Sequence, residues 1–199
     1  SAAPRLGGVS EAVSKHINGE AFAAALRAGI HRVLGQQELL NRINVFPVAD
    51  SDTGTNLGLS LGSALGVLNA PGEKHLGTML AAVADALLDG SRGNSGAIVA
   101  QFFQGVSDSA GEITRFTTYT FSKAIDLGNE YAHDALSQPR EGTILSVVAA
   151  FEESIRHQVS AASEGEFPAL LAKAQARVEE ALADTPKQLE VLRKAGVVD

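Results

Sequence analysis

The apolar positions of this chain follow a helical period along most of its length. Phe22, Leu26 and Ile30, for example, recur four residues apart, which places them on one face of a helix. Similar patterns are separated by turns rich in Gly, Pro and Asn, and together they predict about eight helices. The predicted helices span residues 20–34, 53–68, 76–88, 97–106, 113–136, 143–159, 167–182 and 185–194, with a short helical piece near 37–43.

The fold class that these elements predict is all-α. The chain shows no convincing hairpin pattern, and it is rich in Ala and Leu but poor in the β-branched runs that are typical of strands. Thr185 and Pro186 predict the start of the last helix, because Thr is a good N-cap and proline is tolerated at the first helical position. No repeat or low-complexity linker divides the chain, so residues 1–199 are expected to form a single domain.

Composition and charge exclude several classes of protein. The formal net charge is -7 and no cluster of Lys and Arg is present, so nucleic acid is not expected as a partner. The absence of cysteine excludes a disulfide scaffold, a thiolate zinc site and a thiol nucleophile. No apolar run is long enough to cross a bilayer, so no integral membrane segment is expected. The N-terminal residues lack the layout of a signal peptide, which predicts a cytoplasmic location.

The segment NVFPVADSDTGTN, residues 44–56, carries the strongest chemical signal. Asp50 and Asp52 lie two residues apart, an arrangement that suits a bound divalent cation because two unpaired carboxylates at that spacing repel each other. A helix is predicted to begin directly downstream, and its N–H groups and dipole favour phosphate. Gly54 allows close approach of the backbone to a ligand. The segment therefore predicts a site for magnesium and an anion.

Two other interpretations of this segment stay open. Asp and Thr before a helix are ordinary N-cap residues, so the pair could have a capping role alone. Asp50, Asp52 and Gly54 also imitate the opening of a calcium-binding EF-hand. That pattern fails at its later positions, because Thr55 stands where glycine is needed and Leu61 stands where a bidentate Glu is needed.

Two further turns could contribute to the same site. In the turn SRGNSG, residues 91–96, Asn94 and Ser95 could donate to phosphate or sugar, although glycine is common in any turn between helices. The turn PREGT, residues 139–143, has an equally ordinary structural interpretation. The chain has no GxxxxGK[ST] motif, so a P-loop is excluded.

These three segments resemble the nucleotide-binding domain of the fatty acid kinase A subunit and, more distantly, the L subunit of dihydroxyacetone kinase. The resemblance extends from about residue 17 to the end of the chain. NVFPVADSDTGTN is its most specific element, and RGNSG and EGT follow in the family's order. Ser51 stands where the family usually has glycine. The family usually continues past the position of Asp199, so the chain is expected to be one domain of a longer protein.

The resemblance implies a fold and a set of site residues. The family fold is a barrel of about eight antiparallel helices that binds ATP or ADP in loops at one end. Asp50 and Asp52 would coordinate a pair of magnesium ions. The dihydroxyacetone kinase version has a further acidic ligand with no acidic match here, and Asn44 is the nearest candidate. The residues implied near the nucleotide are Thr53, Thr55, Asn56, Asn94, Ser95, Gly96, Gly142 and Thr143.

The function that the resemblance implies is transfer of a phosphoryl group from Mg·ATP to a fatty acid carboxylate. A separate or fused lipid-binding partner of the DegV type would present the fatty acid. One alternative is a dihydroxyacetone-type kinase L subunit, which would depend on a sugar-binding subunit instead. Another is a regulatory module that binds ATP or ADP without phosphoryl transfer. A helical interaction domain whose turns are merely capped is the plainest alternative.

Overall fold

The computed structural model describes residues 15–35, 53–136, 144–160 and 165–188, and these residues confirm the all-α fold. Seven helices and two three-residue strands are present within these ranges. In chain order the elements are β1 (His16–Asn18), α1 (Gly19–Gly35), α2 (Thr53–Leu68), α3 (Leu76–Gly90), α4 (Gly93–Ala110), β2 (Arg115–Thr117), α5 (Thr118–Asp134), α6 (Ile144–Gln158) and α7 (Phe167–Gln188).

The helices form an up-and-down bundle in which consecutive helices pack against each other. Hydrogen bonds between helix ends show which helix ends lie together at one end of the bundle. Gly77 in the first turn of α3 donates its N–H to the carbonyl of Ile113, which follows α4. Gly165, just before α7, donates its N–H to the Thr118 hydroxyl at the start of α5. The starts of α3, α5 and α7 therefore lie at the same end as the C-terminus of α4.

The two strands pair with each other at this end. β1 and β2 are antiparallel, with Ile17 opposite Phe116. Phe116 is fully buried, and its ring meets the ring of Phe121 at a centroid distance of 5.6 Å in an edge contact. Phe121 meets Phe167 in the same way at 5.5 Å. We call this end of the bundle the ribbon end, because the β1–β2 ribbon joins the helix starts there through a shared aromatic core.

Three predictions of element boundaries were wrong. The predicted helix 113–136 begins only at Thr118, because Gly111 has φ +58° and ends α4, and residues 115–117 pair with β1 instead. The predicted helix 97–106 starts earlier, at Gly93, and ends later, at Ala110. The predicted break at Thr185 and Pro186 is absent, because α7 continues to Gln188. The predicted helical piece at 37–43 and the end of the predicted helix 185–194 lie outside the described residues.

No helix within the described ranges is both long enough and apolar enough to cross a membrane.

Candidate functional site

The helices that follow the three sequence motifs all begin at the end of the bundle opposite to the ribbon. α2 begins at Thr53, directly after Asp52, and α6 begins at Ile144, directly after Thr143. The start of α4 contacts α2 through a hydrogen bond from the Arg92 N–H to the Ser60 hydroxyl, at 2.9 Å. The same half of α4 reaches the start of α6, because Ile98 shares a buried cluster with Leu145 and with Ala132 of α5. We call this the open end.

Small residues let α2 approach the start of α4 closely. Gly93 has φ +67°, a conformation that favours glycine, and a Cβ there would lie 2.9 Å from Nδ2 of Asn56. Gly96 packs directly on Ser60, where a Cβ would clash with the hydroxyl and lie 3.3 Å from the serine Cβ. We call this contact, formed by Asn56, Ser60, Arg92, Gly93 and Gly96, the α2–α4 junction. A larger residue at Gly93 or Gly96 would therefore displace the Asn56 or Ser60 side chain at this contact.

The N-terminus of α4 is not capped by its own N-cap side chain. Arg92 occupies the N-cap position in an extended conformation and makes no side-chain bond to the first turn. A guanidinium has donors only, so it is chemically unable to accept from the N–H groups that follow. Its Nη1 instead donates to the carbonyl of Ser91 at 2.8 Å. A cation at a helix N-terminus opposes the helix dipole, and a bound anion would reverse that unfavourable interaction.

The helices that begin at the open end have no acidic residue in their first turns. The first turns of α2, α4 and α6 contain no acidic residue, and none of the residues of α2 is charged. Acidic residues commonly occupy first turns because they complement the helix dipole. Within these three first turns, therefore, no acidic side chain would repel a negatively charged ligand.

The structure brings some of the predicted site residues together. Thr53, Thr55 and Asn56 form the first turn of α2, and the side chain of Asn56 lies next to Gly93. Residues 93–96 were predicted as part of a turn, but they form the first turn of α4, so only Ser91 and Arg92 connect α3 to α4. The backbone N–H groups of Asn94 and Ser95 consequently point out of a helix start, with Asn94 exposed, Ser95 half-buried and Gly96 buried.

The remaining predicted site residues lie outside the described residues. These are Asn44, Asp50, Asp52, Gly142 and Thr143. Their assignment to metal and nucleotide stays a prediction. Within the part of the chain that the structure describes, no group of three or more His, Asp or Glu side chains could hold a metal ion.

Three residues of the α2–α4 junction, Ser60, Arg92 and Gly93, were not among the predicted site residues. Ser60 is fully buried, and in the sequence it is one more serine in a helix of small residues. Arg92 stands inside the SRGNSG motif, but its N-cap position depends on where α4 begins, and the predicted start at residue 97 concealed it. The sequence did contain a signal for Arg92, because a cationic residue directly before a run of glycine and small polar residues is a pattern that could have indicated an anion site.

Among the described residues, the raised pKa of Tyr131 lies away from the α2–α4 junction. The Tyr131 hydroxyl donates to Oδ2 of Asp108 at 2.7 Å, and this hydrogen bond is the main reason that the pKa of Tyr131 is raised. Oδ1 of the same carboxylate accepts from Gln104 at 2.9 Å. This network ties α4 to α5 on the surface and has no evident link to the candidate site.

Comparison with known proteins establishes the class. Residues 47–199 match the DAK2 domain, so the chain belongs to the DAK2 domain family, which is kinase-related and like the L subunit of dihydroxyacetone kinase.

Several curated proteins are similar to most of this chain. It is 34% identical to Protein YloV of Bacillus subtilis over 183 residues, which is 92% of this chain and 33% of that protein. An uncharacterized protein of Staphylococcus epidermidis is 33% identical over 183 residues, again 92% of this chain and 33% of the relative. One from Staphylococcus saprophyticus is 34% identical over 188 residues, with 94% and 33% covered. The chain thus spans about one third of the length of the curated relatives it matches.

Proposed function

We propose that this chain is a cytoplasmic Mg·ATP-dependent phosphotransferase domain that phosphorylates a fatty acid carboxylate. Membership of the DAK2 family supports the general kinase role. The resemblance of NVFPVADSDTGTN, RGNSG and EGT to the fatty acid kinase A subunit favours a fatty acid as the acceptor.

The observation that carries the proposal is the open end itself. Three helices begin there, and each begins within or directly after one of the three motifs. The start of α4 has a cationic N-cap in place of a capping oxygen, and glycines bring it against α2. The N–H groups of a helix start and an arginine side chain are donors suited to a polyphosphate, and the helix dipole favours its negative charge. Such donors, held in place before the reaction, stabilise the charge that develops on a transferring phosphoryl group.

The donor set expected for magnesium is consistent with this proposal. Asp50 and Asp52 supply carboxylates immediately before α2, and carboxylates together with phosphate oxygens are the usual ligands of magnesium in nucleotide sites. When bound, magnesium would neutralise phosphate charge. Thr55 and Asn56, in the first turn of α2, would contact the phosphate groups from the side of the helix start. Asn94 and Ser95 would offer N–H donors from α4.

The proposed reaction needs few groups from the protein. A carboxylate oxygen of the fatty acid would form a bond to the γ-phosphorus of ATP, while the bond from that phosphorus to the bridging oxygen breaks. ADP would leave with the electron pair, and the product would be an acyl phosphate. Because a carboxylate is already ionised at neutral pH, no general base is required. A lipid-binding partner of the DegV type, separate or fused, would present the acyl chain.

Calorimetric titration of ATP into the chain, with and without magnesium, tests the nucleotide site. We expect magnesium-dependent binding that is lost in the Asp50→Ala/Asp52→Ala variant. The matched control is Asp126→Ala/Glu130→Ala, which removes the same charge from exposed positions on α5 and should leave binding unchanged. Failure of the folded wild-type chain to bind ATP would contradict the proposal.

The acceptor requires a second experiment. The chain is mixed with Mg·ATP and either a fatty-acid-loaded DegV-type protein or a dihydroxyacetone-loaded sugar-binding subunit, and ADP release is measured. We expect release only with the lipid-binding partner. Release only with the sugar-binding subunit would identify the dihydroxyacetone-type alternative, and tight nucleotide binding without release in either mixture would favour a regulatory module.

A further inference from the structure

We infer that Ser60 is a positioning residue that holds the starts of α2 and α4 in the arrangement needed to bind one nucleotide. The inference rests on the proposed function, because it assigns to Ser60 a role in the same nucleotide site. Ser60 contacts no ligand in this account. It acts through the backbone of Asn56 and Arg92.

The Ser60 hydroxyl is used as both donor and acceptor. It donates to the carbonyl of Asn56, one turn earlier in α2, at 2.8 Å. It accepts from the backbone N–H of Arg92, the N-cap of α4, at 2.9 Å. One hydroxyl thereby joins Asn56 of the first motif to Arg92 of the second, which lies 32 residues after Ser60 in sequence. A side-chain bond from serine to its own helix is common, but the second bond to another helix start gives this serine a tertiary role.

The surroundings of Ser60 leave no ready substitute for this hydroxyl. Ser60 is 0% exposed, so bulk water has no access to the side chain. On the α4 side, Gly96 packs directly against the Ser60 side chain. If the hydroxyl is removed, the part-buried Arg92 N–H loses its partner, which is unfavourable. The start of α4 would then shift to find another acceptor.

A shift of α4 affects the two motifs together. Arg92 sets where the first N–H groups of α4 point, and Asn56 lies against Gly93 across the junction. A nucleotide that contacts Thr55 and Asn56 from one side and Asn94 and Ser95 from the other needs both sets at a fixed separation. Displacements smaller than 1 Å are sufficient to weaken such preorganised contacts. Ser60 is therefore expected to affect ligand affinity as well as stability.

The test compares Ser60→Ala with Ser63→Ala. Ser63 lies nearly one turn further along α2, and its hydroxyl donates to the carbonyl of Ser60 within the same helix, so the control removes a hydroxyl without touching the bond to α4. Two quantities are measured on the full chain. The first is the hydrogen exchange rate of the Arg92 amide without nucleotide, relative to amides of the β1–β2 ribbon. The second is the dissociation constant for Mg·ADP.

We expect Ser60→Ala to accelerate exchange at Arg92 and to weaken Mg·ADP binding by about tenfold, the effect of about one hydrogen bond. Ser63→Ala should change neither quantity. A purely structural serine would lower the unfolding midpoint without a selective change at Arg92. If Ser60→Ala does not fold, Ser60→Cys, which keeps the side-chain shape with a weaker donor and acceptor, takes its place.

Two results would overturn the inference alone. One is unchanged exchange at Arg92 in a folded Ser60 variant, and the other is faster exchange with Mg·ADP affinity within about twofold of wild type. A wild-type chain that binds no Mg·ADP would overturn the proposed function and this inference together. In that case the exchange data would still show whether the bond to Arg92 holds the junction.

Discussion

The helix starts whose N-caps the structure describes differ between the two ends of the bundle. At the ribbon end, side chains of the chain itself satisfy the helix starts: Oδ1 of Asn18 accepts from the first turn of α1, Nδ1 of His75 accepts from that of α3, and Thr117 and Thr120 form a capping box on α5. At the open end, α4 begins at an arginine that makes no cap.

This difference indicates that one end of the bundle contributes mainly to stability and the other mainly to ligand binding. A side-chain cap contributes about 1 kcal/mol to stability, so an uncapped start is a cost that the ribbon end avoids. Uncapped N–H groups are also the donors that a phosphate ligand needs. We interpret the ribbon end as the part that stabilises the bundle, and the open end as the part that gives up local stability for binding.

The largest expected effect is a substitution at the ribbon end. In Gly77→Ala the new Cβ would clash with the carbonyl oxygen of Gly111, and a backbone atom has little freedom to move away. We expect a loss of about 3 kcal/mol in the free energy of unfolding, measured by urea denaturation. Gly29→Ala is the matched control, since nothing lies within 4 Å of its added Cβ, and it should stabilise the chain slightly. Equal effects of the two changes would contradict this view of the ribbon end.

The equivalent substitution at the open end should weaken both stability and binding. In Gly96→Ala the new Cβ would clash with the Ser60 hydroxyl, and we expect a loss of about 2 kcal/mol with weaker Mg·ADP affinity. Because the clash is with one side-chain atom, Ser60→Ala should relieve part of it. A double-mutant cycle is expected to give a coupling of about 1 kcal/mol. Strict additivity would show that the two residues do not share the contact described.

Loss of a cap at the ribbon end should affect stability alone. Thr117→Ala removes the side chain that accepts from the Thr120 N–H at 3.1 Å, which should lower the free energy of unfolding by about 1 kcal/mol. Mg·ADP affinity, measured by calorimetry, should not change. A loss of Mg·ADP affinity in the folded variant would contradict the proposal that the ribbon end contributes to stability and not to binding.

The smallest expected change in stability has the opposite sign. Arg92→Asp supplies α4 with a carboxylate cap that also complements the helix dipole, so we expect a gain of about 0.5 to 1 kcal/mol without ligand. The same carboxylate would repel phosphate, so Mg·ADP affinity should fall. Thermal unfolding and calorimetry measure the two effects. A variant that is more stable and binds nucleotide equally well would contradict the role given to the start of α4.

Local signals were sufficient to predict much of the fold. The helix 53–68 was predicted with the bounds that the structure shows, because turn-forming residues flank it on both sides. The β1–β2 ribbon was missed because each strand has only three residues and its partner lies about 100 positions away, which leaves no hairpin pattern. The predicted helix start at residue 113 failed for the same reason, since residues 115–117 are held by that distant pairing.

The candidate site was only partly accessible from sequence. The motifs indicated which segments to examine. The first turns of the helices that begin in those motifs contain Asn56, Asn94, Ser95 and Gly96. Ser60 had no sequence signal, because its role comes from a tertiary contact with α4 that only the packed bundle creates. The metal ligands predicted in residues 44–52 remain predictions.

The most direct test of the account is to map where Mg·ADP acts on the chain. Amide signals are followed by nuclear magnetic resonance during a titration of the chain with Mg·ADP. We predict changes at residues 53–56 and 93–96, with the amides of β1 and β2 unaffected. Changes centred on β1 and β2, or none at the start of α4, would contradict the claim that the open end binds the nucleotide.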